Sequence, residues 1–195
     1  MRLTSGWKIW IGMVLVIWLS ACGTTGGKPD QKSAGTESLT PSQAGRFQEA
    51  LAQLDQQQPK KAESLLESLL RERTDVAELW LNLAFSQYQQ KNFAAADKTV
   101  TRILAAFPRT AQAHNLAGLL AVEKGEFKKA EQHYADALKL SSGYANALYN
   151  MALLQDIYLQ NTAAAVDYYN RYLILEKDDE ATKAWVENLS QSLSR

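Results

Sequence analysis

FKKAEQHYADAL, residues 127–138, places Ala130, Tyr134 and Ala137 at steps of four and three, which is one stripe of an α-helix. The same stripe stands in KKAESLLESLL (60–70), FAAADKTVTRIL (93–104) and TAAAVDYYNRYL (162–173). The register alanines Ala62, Ala96, Ala130 and Ala165 are spaced by 34, 34 and 35 residues. Each is followed four residues on by Leu66, Val100, Tyr134 or Tyr169, and three further by Leu69, Ile103, Ala137 or Tyr172. A fixed period of this length describes one supersecondary unit stacked on copies of itself. No alternating strand pattern interrupts it, so the fold class is all-α.

The segment before each of these helices repeats as well. Trp80-x2-Leu83-Ala84, His114-x2-Ala117-Gly118 and Leu148-x2-Met151-Ala152 stand 34 residues apart. Together the two halves resemble the tetratricopeptide repeat (TPR), whose signature runs W-x2-L-G-x2-Y, then A-x3-F, then P. Pro108, Gly118 and Gly125 fit that pattern, and the resemblance covers residues 43–177. Departures are Arg46 at the large-aromatic position, Gln87 in place of the tyrosine, and one inserted residue near Gln160. The resemblance implies a right-handed superhelical solenoid of four helix pairs. A ninth helix, residues 178–195, would close the last exposed core face. Asp178, Asp179 and Glu180 suit the start of that helix, and Ala181, Trp185, Leu189 and Leu193 read as its packing side. Pro59 reads as a first-turn proline, and Asn92, Thr110 and Thr162 as N-caps.

The N-terminus carries different information. Arg2 and Lys8 precede an apolar run over residues 9–19, too short for the ~20 residues of a membrane-spanning helix and suited to a signal-peptide core. A plain membrane anchor is the alternative if the helix extends through Trp7. Leu19-Ser20-Ala21-Cys22 then resembles a lipobox, with the only cysteine of the chain at its end. The resemblance implies a signal peptide over residues 1–21, cleavage before Cys22, and lipid on that cysteine and its new N-terminus. Several acyl chains anchor stably where one does not. Gly23, where an Asp would resemble an inner-membrane retention signal, favours the periplasmic face of the outer membrane in a two-membrane host. Residues 22–42 are rich in Gly, Ser, Thr and Pro and read as a flexible tether, with a reach of roughly 25 Å.

Composition excludes some functions. With 21 basic and 21 acidic side chains the chain is formally neutral, which argues against nucleic-acid binding. One cysteine forms no internal disulfide. No phosphate loop or nucleophile elbow is present, so no catalytic residue or cofactor is expected. His114 occupies a packing position of its repeat and His133 is expected to face solvent; no metal site is expected either.

Binding is the remaining activity. In the fold that the resemblance implies, the first helix of each pair lines the concave surface. The groove positions are then Phe47 and Leu51, Leu81 and Phe85, Asn115 and Leu119, Tyr149 and Leu153, with Asn82 and Asn150 one step further. Either the inner helices bury these side chains against each other, or they form an apolar-aromatic groove whose asparagines bond a peptide backbone. The first helices of the second, third and fourth repeats carry no Lys or Arg, which disfavours an acidic chaperone tail and points to an apolar or amphipathic partner segment. Lipobox, tether and repeat body together resemble the type IV pilus biogenesis lipoproteins, or pilotins, which assist secretin assembly and usually carry six repeats. An adaptor for an envelope protease or peptidoglycan hydrolase is the alternative, and an enzyme of unrecognised type the alternative from another class.

Overall fold

The computed structural model of the chain describes residues 39–194. The signal peptide, Cys22 and the tether up to residue 38 lie outside the described residues. Within them run nine α-helices and no strand: α1 (Pro41–Asp55), α2 (Pro59–Leu70), α3 (Ala77–Gln89), α4 (Phe93–Ala106), α5 (Ala111–Glu123), α6 (Phe127–Leu140), α7 (Ala145–Leu153), α8 (Thr162–Leu175) and α9 (Glu180–Leu193).

Helix α1 starts inside the segment read as tether. The Thr40 hydroxyl accepts from the Gln43 amide, and the Gln43 side chain accepts from the Thr40 amide, a capping box with Pro41 in the first turn. Leu39 packs against the first core cluster, so the ordered body begins before residue 43.

Each helix pair is closed by the same turn. Gln57, Lys91, Gly125 and Gln160 have φ of 56°, 59°, 72° and 53°, recurring with the repeat. After the first three, the amides of Gln58, Asn92 and Glu126 donate to the carbonyls of Gln53, Gln87 and Ala121 (2.8, 2.9 and 2.8 Å). This is the six-to-one bond of a Schellman motif. The fourth pair absorbs its extra residue differently. A π-helical turn, Leu154–Tyr158, follows α7, and the Asn161 amide reaches the Gln155 carbonyl at 2.7 Å, one residue further back. A single-residue insertion in a helix is accommodated this way without changing the outgoing face.

The register alanines Ala62, Ala96, Ala130 and Ala165 are fully buried where the helices of each pair cross. Four buried clusters follow one another along the solenoid, and Trp80, Leu119 and Tyr149 each pack against two of them, joining one repeat to the next. Polar bonds cross the same seams. Gln87 donates to Glu63 of the preceding repeat at 3.1 Å, held by Thr99 of its own repeat, which donates to it at 2.8 Å, while Gln155 donates to Glu131 at 2.8 Å.

Two terminal expectations change. In α9 the buried residues are Thr182 and Val186, with Leu189 partly buried, whereas Trp185 is 50% exposed and donates to Asp156 at 2.8 Å. The capping face is therefore one residue round from the one expected. α9 docks on α8 and on the end of α7, with Val186 beside Ala152 and Tyr169, and no further repeat covers its other side, so hydrophobicity alone does not choose its face. The N-cap of α8 is Asn161, not Thr162, and Thr110 caps α5 by position without a side-chain bond to the helix. Asn92 caps α4 as expected, accepting from the Ala95 amide. Asp179 caps α9, where its buried carboxylate accepts from Thr182 N (3.0 Å), Thr182 Oγ1 (2.7 Å) and the Tyr172 hydroxyl (3.0 Å). Burial opposes its ionisation, but these bonds outweigh that and hold the carboxyl below its usual range.

Candidate functional site

Besides packing on their pair partners, α1, α3, α5 and α7 also touch one another in series; α2, α4 and α6 make no comparable row. The odd-numbered helices thus form the tighter inner layer, where the sequence pattern puts the groove.

The expected groove residues divide into two sets. Leu51, Leu81, Phe85, Leu119, Tyr149 and Leu153 are half-buried, each with part of its apolar surface open. Phe47 and Asn115 are not open: they are 5% and 6% exposed. Phe47 lies in the first core cluster with Val76 and Leu79, and Asn115 accepts from Asn150 Nδ2 at 3.0 Å. Leu81 and Tyr149 hold the same register position and stay half-open, so the particular contacts with the neighbouring inner helix, not the register, cover Phe47 and Asn115. The asparagines are engaged too, because Asn82 donates to the Glu78 carbonyl of its own helix at 2.8 Å. What remains is an apolar strip along α3, α5 and α7, and Tyr149 is its most fixed member. Its ring meets Tyr169 edge-on at 5.8 Å and Tyr172 at 5.1 Å. Burial, and then the Asp179 charge, push its phenol pKa up, so the ring stays neutral.

The histidines do not behave as expected. His114 on α5 and His133 on α6 bring their rings to 6.0 Å, and with Asp136 they offer three ligand atoms within 4.8 Å of one another. His133 is half-buried rather than facing solvent. Sequence spacing hides this cluster, because its members stand on two helices. A signal was present nonetheless: in the repeat register His114 and Asp136 replace Trp80 and Arg102.

Comparison with known proteins supports the architecture. Residues 53–120 match the family model described as tetratricopeptide repeat. No curated protein sequence matches. Among solved structures, PilF of Pseudomonas aeruginosa is similar at 19% identity and a TM-score of 0.69, covering 78% of this chain and 69% of that one. A thermophilic TPR protein of Thermus thermophilus is similar at 19% identity and a TM-score of 0.67, covering 78% and 84%. The first TPR domain of Spaghetti (RPAP3), bound to an HSP90 peptide, shares 20% identity at a TM-score of 0.56, covering 61% and 94%. The fold is a tetratricopeptide repeat solenoid. In TPR terms, His114 and Arg46 stand where the signature has its tryptophan, and Gly118 is its glycine. A Cβ on Gly118 would collide with the Tyr134 ring, meeting Cδ1 at 2.6 Å, so the buried tyrosine of the third TPR requires that glycine. No helix among the described residues is long and apolar enough to cross a membrane.

Proposed function

We propose that this chain is a lipid-anchored TPR scaffold that holds an apolar or amphipathic segment of a protein partner along its inner helices. Its place would be the periplasmic face of an outer membrane, in the assembly of an envelope complex such as a type IV pilus or secretin. The observation that carries the binding reading is the half-open strip of Leu81, Phe85, Leu119, Tyr149 and Leu153 on helices without a Lys or Arg. Side chains that were only internal packing would be closed off, as Phe47 is. The RPAP3 domain binds its HSP90 peptide on the same kind of scaffold. An acidic peptide would find no Lys or Arg on α3, α5 or α7 here, so the ligand class differs. The lipobox ending at Cys22 supports the anchor. The assembly role rests on the resemblance of lipobox, tether and repeats to the pilotins.

A photo-crosslinking residue placed at Phe85 or Leu119 in living cells tests the strip. One discrete partner, lost when Leu153→Glu is added, is the expected outcome. Crosslinking no stronger than from Lys128, exposed on α6, would remove the groove reading. A fatty-acid probe should label the wild-type chain and not Cys22→Ser; label that persists would remove the anchor.

A further inference from the structure

One node recurs along the solenoid, where the Trp80-equivalent side chain of the first helix meets the second helix of its own repeat. In the second repeat, Trp80 donates to the Thr74 carbonyl at 2.9 Å and the Arg102 guanidinium sits 4.0 Å above its ring. In the fourth, Leu148 holds the Trp80 position and the aromatic face comes from α8 itself, where Arg171 lies 5.1 Å above the Tyr168 ring. Both nodes hold a cation against an aromatic face. At the third, the registered residues are His114, His133 and Asp136, and an acid stands where the guanidinium belongs.

His114 Nε2 lies 3.2 Å from the Pro108 carbonyl oxygen, the counterpart of the Trp80 bond. A carbonyl only accepts, so this nitrogen carries a proton, and in the neutral ring the lone pair is then on Nδ1. That Nδ1 is buried without a hydrogen-bond partner, and so is Nδ1 of His133. Two unpartnered ring nitrogens side by side are costly unless something satisfies both. We propose that His114, His133 and Asp136 form a binding site for a divalent transition-metal ion of the zinc class.

Two imidazoles and one carboxylate are the donors that zinc, copper and nickel prefer over magnesium or calcium. Tetrahedral ligands about 2.1 Å from an ion stand about 3.4 Å apart, so atoms already within 4.8 Å have little more than an ångström to close. The outer bonds are in place: the Pro108 carbonyl fixes the His114 tautomer, and Gln132 donates to Asp136 Oδ1 at 3.2 Å. Burial, then the neighbouring His114, lower the His133 pKa against the opposing pull of Asp136 and Asp97, with Lys129 also lowering it. The ring is thereby kept in its ligating neutral form. His133 also lines a cleft of about 220 Å³ with Asp97, Lys124 and Lys129. All three ligands are partly exposed, so a fourth position is left to water. Occupancy would tie α5 to α6.

The test uses the full chain in detergent, with Cys22→Ser so that no thiol competes, titrated calorimetrically with Zn²⁺ and with Mg²⁺ as control. The expected result is one Zn²⁺ per chain, no Mg²⁺ binding, and a Tm raised by about 5 °C at saturating metal. Affinity should fall on the order of 100-fold in His133→Gln and at least about 10-fold in Asp136→Asn, since losing a ligand exceeds losing an outer partner. Asp136 is a surface-edge residue, so its variant keeps the test open if His133→Gln unfolds. Absence of Zn²⁺ binding, or binding unchanged in Asp136→Asn, would overturn the site. The chain has only two histidines, so imidazole scattering in the zinc X-ray absorption edge would place the ion here.

Discussion

The second and third repeats share a backbone and differ in what fills it. In the second, Arg102 stacks on a Trp80 that donates to the Thr74 carbonyl, Thr99 donates to Gln87, and Ala84 faces Val100 in one buried cluster. In the third, His114, His133 and Asp136 leave buried nitrogens unpartnered, while Gly118 makes room for a much larger Tyr134. Volume has moved from the node to the helix crossing. A repeat constrains shape at its crossings and turns, and within those limits chemistry can be exchanged between sites that the register makes equivalent.

The largest expected difference is at the node. Trp80 packs on two clusters, donates a hydrogen bond and supports Arg102, so Trp80→Ala should destabilise by about 3 kcal/mol in urea unfolding. His114→Ala in metal-free protein removes a smaller ring whose Nδ1 has no partner and should cost about 1 kcal/mol. Equal costs would mean that the two nodes are energetically alike despite their different chemistry. The crossing comes next. Gly118→Ala forces a methyl into the Tyr134 ring and should cost about 2 kcal/mol. In a Tyr134→Val background, which copies the second repeat, that penalty should vanish. An additive double-mutant cycle would show that the ring is not its cause.

These contrasts also mark what the sequence could disclose. The alanine register and the Trp80-type segments disclosed the four helix pairs seen among the described residues, because each crossing admits only a small residue. The strip was legible for Leu81, Phe85, Leu119, Tyr149 and Leu153, since each inner helix repeats the same face. It failed at Phe47 and Asn115, where contact with the next inner helix covers a position that single-helix periodicity reads as open. It failed again at Trp185, on the end helix, whose outer side no further repeat covers. The histidine node was illegible as a cluster, because it needs α5 and α6 packed and one backbone carbonyl to fix a tautomer.

The turns sharpen the comparison by a smaller amount. Lys91 and Gly125 occupy the same left-handed position after α3 and α5, with φ of 59° and 72°. A side chain there costs about 1 kcal/mol relative to glycine. Lys91→Gly should therefore stabilise and Gly125→Lys destabilise by about that amount each, and the double exchange should be near neutral by thermal unfolding. Two changes of the same sign would mean that tertiary contacts, not φ, set the preference.

The smallest effect separates the nodes by pH. The Trp80–Arg102 pair contains no imidazole, whereas the His133 pKa is lowered from 6.5 in the fold, first by burial and then by His114, with Lys129 acting the same way and Asp136 and Asp97 opposing. Protonation is then easier in the unfolded chain. The stability tied to neutral His133 is complete above pH 6.5 and is lost as pH falls through the lower folded value. Metal-free wild type should lose Tm relative to His133→Gln between about pH 7.5 and about pH 5.5, with the carboxylates common to both cancelling in the difference. Parallel curves would show that His133 is as free to charge in the fold as out of it. The lowered pKa would then be absent, and with it the reason why the third node, unlike the second, should respond to acid.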